Sequence, residues 1–104
     1  MTQSIVTVVD THIPPEREAA LLDGYRRMLA EDKPDALLHT ELLRGQSGAW
    51  RIQTTWRDLA SLQALRQAGK PPAALALLNA LGAAHTHTWF TVEAGLSAVA
   101  APET

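Results

Sequence analysis

Three short stretches hold the residues whose types and spacing could do chemistry: "LLHTELLR" with His39, "WRIQTTW" with Trp50, Arg51 and Trp56, and "HTHTWF" with His85, His87 and Trp89. A neutral imidazole can accept a proton and a guanidinium can pair with an anion, so His39, His87 and Arg51 are the candidate polar groups. An indole offers a flat apolar wall with one N–H. Trp50, Trp56 and Trp89 are therefore candidates for holding a ring, although packing in the core or at a subunit interface is the plainer use of the same side chain. His85 and His87 also have the spacing of a metal pair, because imidazole suits zinc, copper and iron and a carboxylate could complete a facial triad. Asp10, His12, His39 or Glu41 would have to supply the third ligand, and no spacing fixes one. A pair two apart on a strand is unspecific, so the expectation is hydrogen-bonded histidines and no metal.

The elements that must position these residues can be read in order. Ile5 to His12 is β-branched and predicts a strand, and apolar residues at both parities imply that both its faces are covered. Pro14 and Pro15 suit the first turn of a helix, where missing N–H groups do no harm, and Leu21, Leu22, Tyr25, Met28 and Leu29 recur at helical spacing. Arg17, Asp23, Arg26 and Arg27 lie off that stripe and read as a solvated face. Pro34 and Asp35 break the pattern. Ala36 to Arg44 and Ala49 to Trp56 then read as a hairpin around the turn "GQSG". Asp58 is a plausible N-cap for a helix carrying Leu59, Leu62 and Leu65, with Gly69 placed to end it. Pro71 and Pro72 are expected to open a further short helix with Leu75, Leu78 and Leu81 on one face, closed by Gly82. His85 to Glu93 is the last strand, and a tail of small residues follows that is expected to fray.

The order β-α-β-β-α-(α)-β predicts an α+β, ferredoxin-like fold, a four-stranded antiparallel sheet with its helices on one face. Side chains alternate along a strand, so Trp50, Ile52, Thr54 and Trp56 share one face of the third strand while Arg51, Gln53 and Thr55 share the other. Only one set can face the helices. Two layers leave one sheet face bare, so a homodimer closed through sheet faces is expected.

At 104 residues, with 46% hydrophobic and 19% charged residues, the chain has the composition of one globular domain. A net charge of -2 without a basic stripe argues against nucleic acid as a partner. The absence of cysteine removes disulfides, thiolate nucleophiles and cysteine metal ligands. The start of the sequence lacks a basic leader, and no apolar stretch is long enough for a membrane-spanning helix, so a soluble, cytoplasmic protein with no membrane partner is expected. No nucleophile elbow or phosphate-binding loop appears, which sets aside hydrolase and nucleotide-binding readings.

The element order, "WRIQTTWRDLASLQALR" and "AAHTHTWFTVE" together resemble the antibiotic biosynthesis monooxygenase-like domains of the dimeric α+β barrel superfamily. The likeness runs from about Ile5 to about Glu93, so residues 1–95 are read as a single domain and residues 96–104 as a tail. Its most telling part is a strand ending in Trp56 that passes through "RDLASL" straight into a helix. The resemblance implies a pocket between sheet and helices in which an electron-rich aromatic substrate is oxidised by dioxygen with no cofactor, and it assigns Trp56 to the pocket wall. His39, His87 or Arg51 would then stabilise the substrate anion as the catalytic group, with Trp50 and Trp89 as further candidates for the substrate-binding wall. Haem-degrading relatives use an Asn near the end of the first strand and a His on the helix after the tryptophan. Here the strand ends Val9-Asp10-Thr11-His12 and the helix carries Arg66 and Gln67, which argues against haem degradation. The expectation is a cofactor-independent monooxygenase of a small aromatic or quinol-like metabolite. The alternative is a non-catalytic small-ligand-binding or regulatory protein of the same fold.

Overall fold

A computed structural model describes residues 3–69 and 73–96. Strand β1 (Ile5–His12) leads through a single 3-10 turn (Pro15–Arg17) into helix α1 (Glu18–Ala30). Strands β2 (Leu37–Arg44) and β3 (Ala49–Trp56) form the hairpin, helices α2 (Leu59–Gln67) and α3 (Ala73–Ala80) follow, and β4 (His85–Thr91) closes the sheet. The expected opening of α3 at Pro71 and Pro72, and the tail from Ser97 onward, lie outside the described residues. The last strand stops two residues short of Glu93, although the Val92 N–H still bonds to the Ser4 carbonyl at 2.9 Å.

The sheet runs β2-β3-β1-β4 with every neighbouring pair antiparallel, the ferredoxin-like order. β1 lies inside the sheet, which accounts for its apolar residues at both parities: Val9 faces the helices and Val8, on the opposite face, is buried as well. In the turn between β2 and β3, Gly48 has φ +81° and an added Cβ would lie 3.2 Å from the Ile13 carbonyl oxygen, so the backbone there needs glycine. A bulge between Leu37 and His39 shifts the register of β2 by one, so that both Leu37 and Thr40 face the helices and Leu38 is left outside, 55% exposed.

On the helix side, the pairings stack the strands into four cross-sheet rows. Leu37, Trp56, Ile5 and Thr91 form the first and Thr40, Thr54, Thr7 and Trp89 the second. Leu42, Ile52, Val9 and His87 form the third, and Arg44, Trp50, Thr11 and His85 the fourth. Two apolar clusters pack over them. The larger joins Val9, Trp50 and Ile52 to Leu21 and Tyr25 of α1 and to Ala74 and Leu78 of α3. The smaller joins Ile5, Ala36 and Trp56 to Leu62 of α2. Leu21 and Leu78 are fully buried, whereas Leu29, at the edge of the predicted α1 stripe, is 40% exposed.

Because Leu78 is sealed in the larger cluster, Leu78→Ala removes buried apolar surface and leaves a void. Chemical denaturation should show a loss of about 2–5 kcal/mol, while Leu96→Ala, at a 95% exposed position, should leave the midpoint unchanged.

Candidate functional site

Trp56 is the last residue of β3, and the chain around it is tied down on three sides. The Arg57 N–H bonds to the Ala36 carbonyl at 2.8 Å, fixing the strand end against the start of β2. Asp58 caps α2 as expected, its Oδ1 accepting from the Ser61 N–H at 2.8 Å. That bond and the neighbouring Arg57 hold the Asp58 carboxyl below its ordinary range, the backbone N–H contributing most. The indole is buried, and its Nε1–H donates to Thr7 Oγ1 at 3.0 Å across the β1–β3 pairing.

Beside this indole lies a cavity of about 400 Å³ between the sheet and the helices. Trp56 and Leu37 wall it from the sheet, Leu62 and Leu65 from α2, Met28 from α1 and Ala73 from the start of α3. Glu31, Asp32, Lys33 and Pro34, the segment after α1, form the remaining wall and bring the charged groups to it. Lys33 Nζ donates to the carbonyls of Leu29 and Glu31, so its ammonium is anchored on the C-terminal end of α1. Neither the Glu31 nor the Asp32 carboxylate forms an ion pair among the described residues.

Of the residues nominated by sequence, Trp56 lines this cavity and the others lie elsewhere. Trp50 is buried in the larger cluster with the Arg44 guanidinium 4.3 Å from its ring centroid, and its Nε1 has no partner among the described residues. It borders a separate, more open depression together with Asp10, His12 and His85. Trp89 faces the helix side on the edge strand β4 and is 48% exposed. His39 and Arg51 are on the opposite face of the sheet from Trp56. Strand alternation keeps both away from the indole, since each pairs in register with residues of the other parity. His39 sits 3.4 Å from Glu41, and Arg51 makes a two-pronged contact with Asp10 at 2.7 and 3.2 Å that raises its pKa further.

His87 is the nominated catalytic group that the fold does keep on the helix side, two strands from the cavity wall. Its Nε2 is buried with no partner among the described residues. Desolvation lowers its pKa, helped by the positive charge of Arg66 and by His85, so the ring is held neutral. His85 Nδ1 lies 3.0 Å from the Ala83 carbonyl, which can only accept, so that nitrogen carries the proton. No group of three or more His, Cys, Asp and Glu able to hold a metal occurs among the described residues.

Sequence reasoning did not identify the row of hydroxyls between the two apolar clusters. Tyr25 OH donates to Thr40 Oγ1 at 3.1 Å, Thr40 and Thr54 hydroxyls are 3.0 Å apart, and Thr7 receives the Trp56 N–H. Thr40 has two lone pairs, so either hydroxyl can donate in the bond it shares with Thr54. Burial raises the Tyr25 pKa, partly offset by its bond to Thr40 and reinforced by Glu41. Threonine at inward positions of β1 and β3 was the available signal, but only the pairing shows that the three hydroxyls are neighbours.

The sequence matches no protein-family model and no curated protein. Its fold is that of several solved structures. A cofactor-independent oxygenase from Streptomyces nogalater superposes with a TM-score of 0.65 at 20% identity, covering 92% of this chain and 98% of that one. A proposed antibiotic biosynthesis monooxygenase from Deinococcus radiodurans gives 0.68 at 17% identity over 89% and 96% of the two chains. A haem-degrading protein from Mycobacterium tuberculosis gives 0.61 at 21% identity over 93% and 99%. The α+β, ferredoxin-like architecture of the antibiotic biosynthesis monooxygenase-like structures is thus the architecture of this chain.

The burial of His87 has a consequence for pH. The unfolded chain takes up a proton near the ordinary value of 6.5 and the folded chain does so only below it, so stability is unaffected above 6.5 and falls as the pH drops beneath it. NMR titration should place the His87 ring below 6.5, and His87→Gln should flatten the acid side of a plot of Tm against pH; titration at or above 6.5 would refute the burial argument.

Proposed function

We propose that this protein is a cofactor-independent oxygenase of a small electron-rich aromatic metabolite that binds in the cavity beside Trp56. The observation that carries the reading is the cavity itself, apolar on most sides, walled by an indole and set between sheet and helices. A space of about 400 Å³ falls within the range of small-molecule sites, and an apolar enclosure with a few polar groups at one end is what such sites offer. The likeness to a cofactor-independent oxygenase of the same fold supports the reaction class.

Such a substrate can supply all the electrons. A methylene between aromatic rings takes one atom of dioxygen to become a carbonyl, and the other atom leaves as water with the two methylene hydrogens. The protein has only to bind the ring, exclude bulk water and accept a proton as the anion forms. Trp56 supplies the wall; His87 is a neutral base on the helix side but stands outside the cavity lining, whose own proton acceptors are the carboxylates of Glu31 and Asp32. A ligand-binding role without turnover is the second reading, favoured by one feature: the ionisable groups lining the cavity are confined to the segment after α1.

Oxygen consumption with a panel of anthrones, quinols and flavonols tests the first reading. Turnover of at least one class is expected, and Trp56→Phe should lower it roughly ten- to hundredfold, about what misplacing a bound ring by an ångström costs. Saturable binding with no oxygen uptake would establish the second reading instead.

The same proposal includes a homodimer closed on the sheet face away from the helices. Leu38, Leu43 and Phe90 are 55%, 38% and 58% exposed, and His39, Arg51 and Gln53 share the face on which Leu43 and Phe90 lie. Sedimentation should give a dimer at micromolar concentration that Phe90→Glu converts to monomer; a wild-type monomer would refute the arrangement.

A further inference from the structure

We infer that the Trp56 cavity selects an aromatic ligand bearing a protonated amine at its outward end and discriminates against the same ring bearing a carboxylate. The inference rests on the binding reading above and deepens it by assigning the charge of the ligand. The indole N–H is the one donor that Trp56 possesses, and it is already engaged by Thr7, so the aromatic wall presents its π surface alone. Leu62 and the other apolar side chains offer neither donors nor acceptors.

What remains is the segment after α1. Lys33 holds main-chain carbonyls of Leu29 and Glu31 with its ammonium, which turns it toward the helix end. Glu31 and Asp32 keep their carboxylates without ion-pair partners among the described residues. Two carboxylates against one engaged ammonium leave the cavity edge rich in acceptors and negative on balance. An ammonium there satisfies those acceptors and, where it meets the indole face, gains from the ring quadrupole. A carboxylate meets like charge and finds no unengaged donor from Trp56.

Naphthylmethylamine, naphthylmethanol and naphthoate share one ring system and differ in the charge of the outward group, so titration calorimetry with the three separates shape from charge. At low salt the amine should bind about tenfold more tightly than the carboxylate, the scale expected for partly screened charges. In the Glu31→Gln, Asp32→Asn double variant the ratio should fall to within about twofold while the alcohol changes less than either charged probe, because both changes are at exposed positions, retain an acceptor oxygen and keep the main chain that Lys33 holds. Naphthoate binding as tightly as the amine, or a ratio unmoved in the double variant, overturns the charge inference and leaves the cavity reading standing. Failure of all three probes to bind overturns both.

Discussion

The hydrogen bond from the Trp56 indole to Thr7 is the contact on which the arrangement of this molecule most depends. It joins the end of β3 to the middle of β1 across a separation of 49 residues, in a buried setting where an orphaned indole N–H would be costly. With that bond made, the ring has one orientation, Leu62 of α2 packs with it, and the cavity has a fixed wall. Its acceptor, Thr7, is the register partner of Thr54, which is hydrogen-bonded through Thr40 to Tyr25. Hydroxyls at these places demand registry between α1, β2, β3 and β1 that purely apolar residues would not. A slip of one residue in any strand would turn its threonine to the opposite face.

Much of this could be read from the sequence because its signals are local. Asp58 as an N-cap, the glycines at 48, 69 and 82 with positive φ, and the strand boundaries at Ala49 and Trp56 all come from short stretches whose chemistry admits few alternatives. The site was less legible, for a reason visible in three residues. His39, Arg51 and His87 all lie on strands, and each looks equally available to a pocket until the pairing assigns faces. Alternation divides β3 into two sets, but the sequence does not state which set the helices cover. The cavity edge was harder still. Glu31, Asp32 and Lys33 read as the polar end of a helix, and their approach to Trp56 follows from tertiary packing rather than from any pattern along the chain.

A shared architecture also sets a boundary on what can be carried over. The same sheet and helices occur in an oxygenase from Streptomyces nogalater and in a haem-degrading protein from Mycobacterium tuberculosis, at identities of 20% and 21% to this chain. The scaffold is therefore compatible with more than one chemistry, and the difference must lie in the side chains around the ring. In this chain those are an indole whose N–H faces inward, several aliphatic groups, and carboxylates on the segment after α1.

The line of hydroxyls has one more consequence, for motion. It divides the interior into a large block around Val9, Ile52 and Leu78 and a small one around Ile5, Trp56 and Leu62, with short polar side chains rather than interlocked aliphatic groups along the seam. The small block holds fewer buried residues and is the one that contains the void. It is the natural unit of partial unfolding, in which α2 lifts from Trp56 while α1, α3 and the far half of the sheet remain closed. Such an opening would widen the cavity, with backbone amides near Leu62 exchanging their hydrogens ahead of those near Leu21 and Leu78.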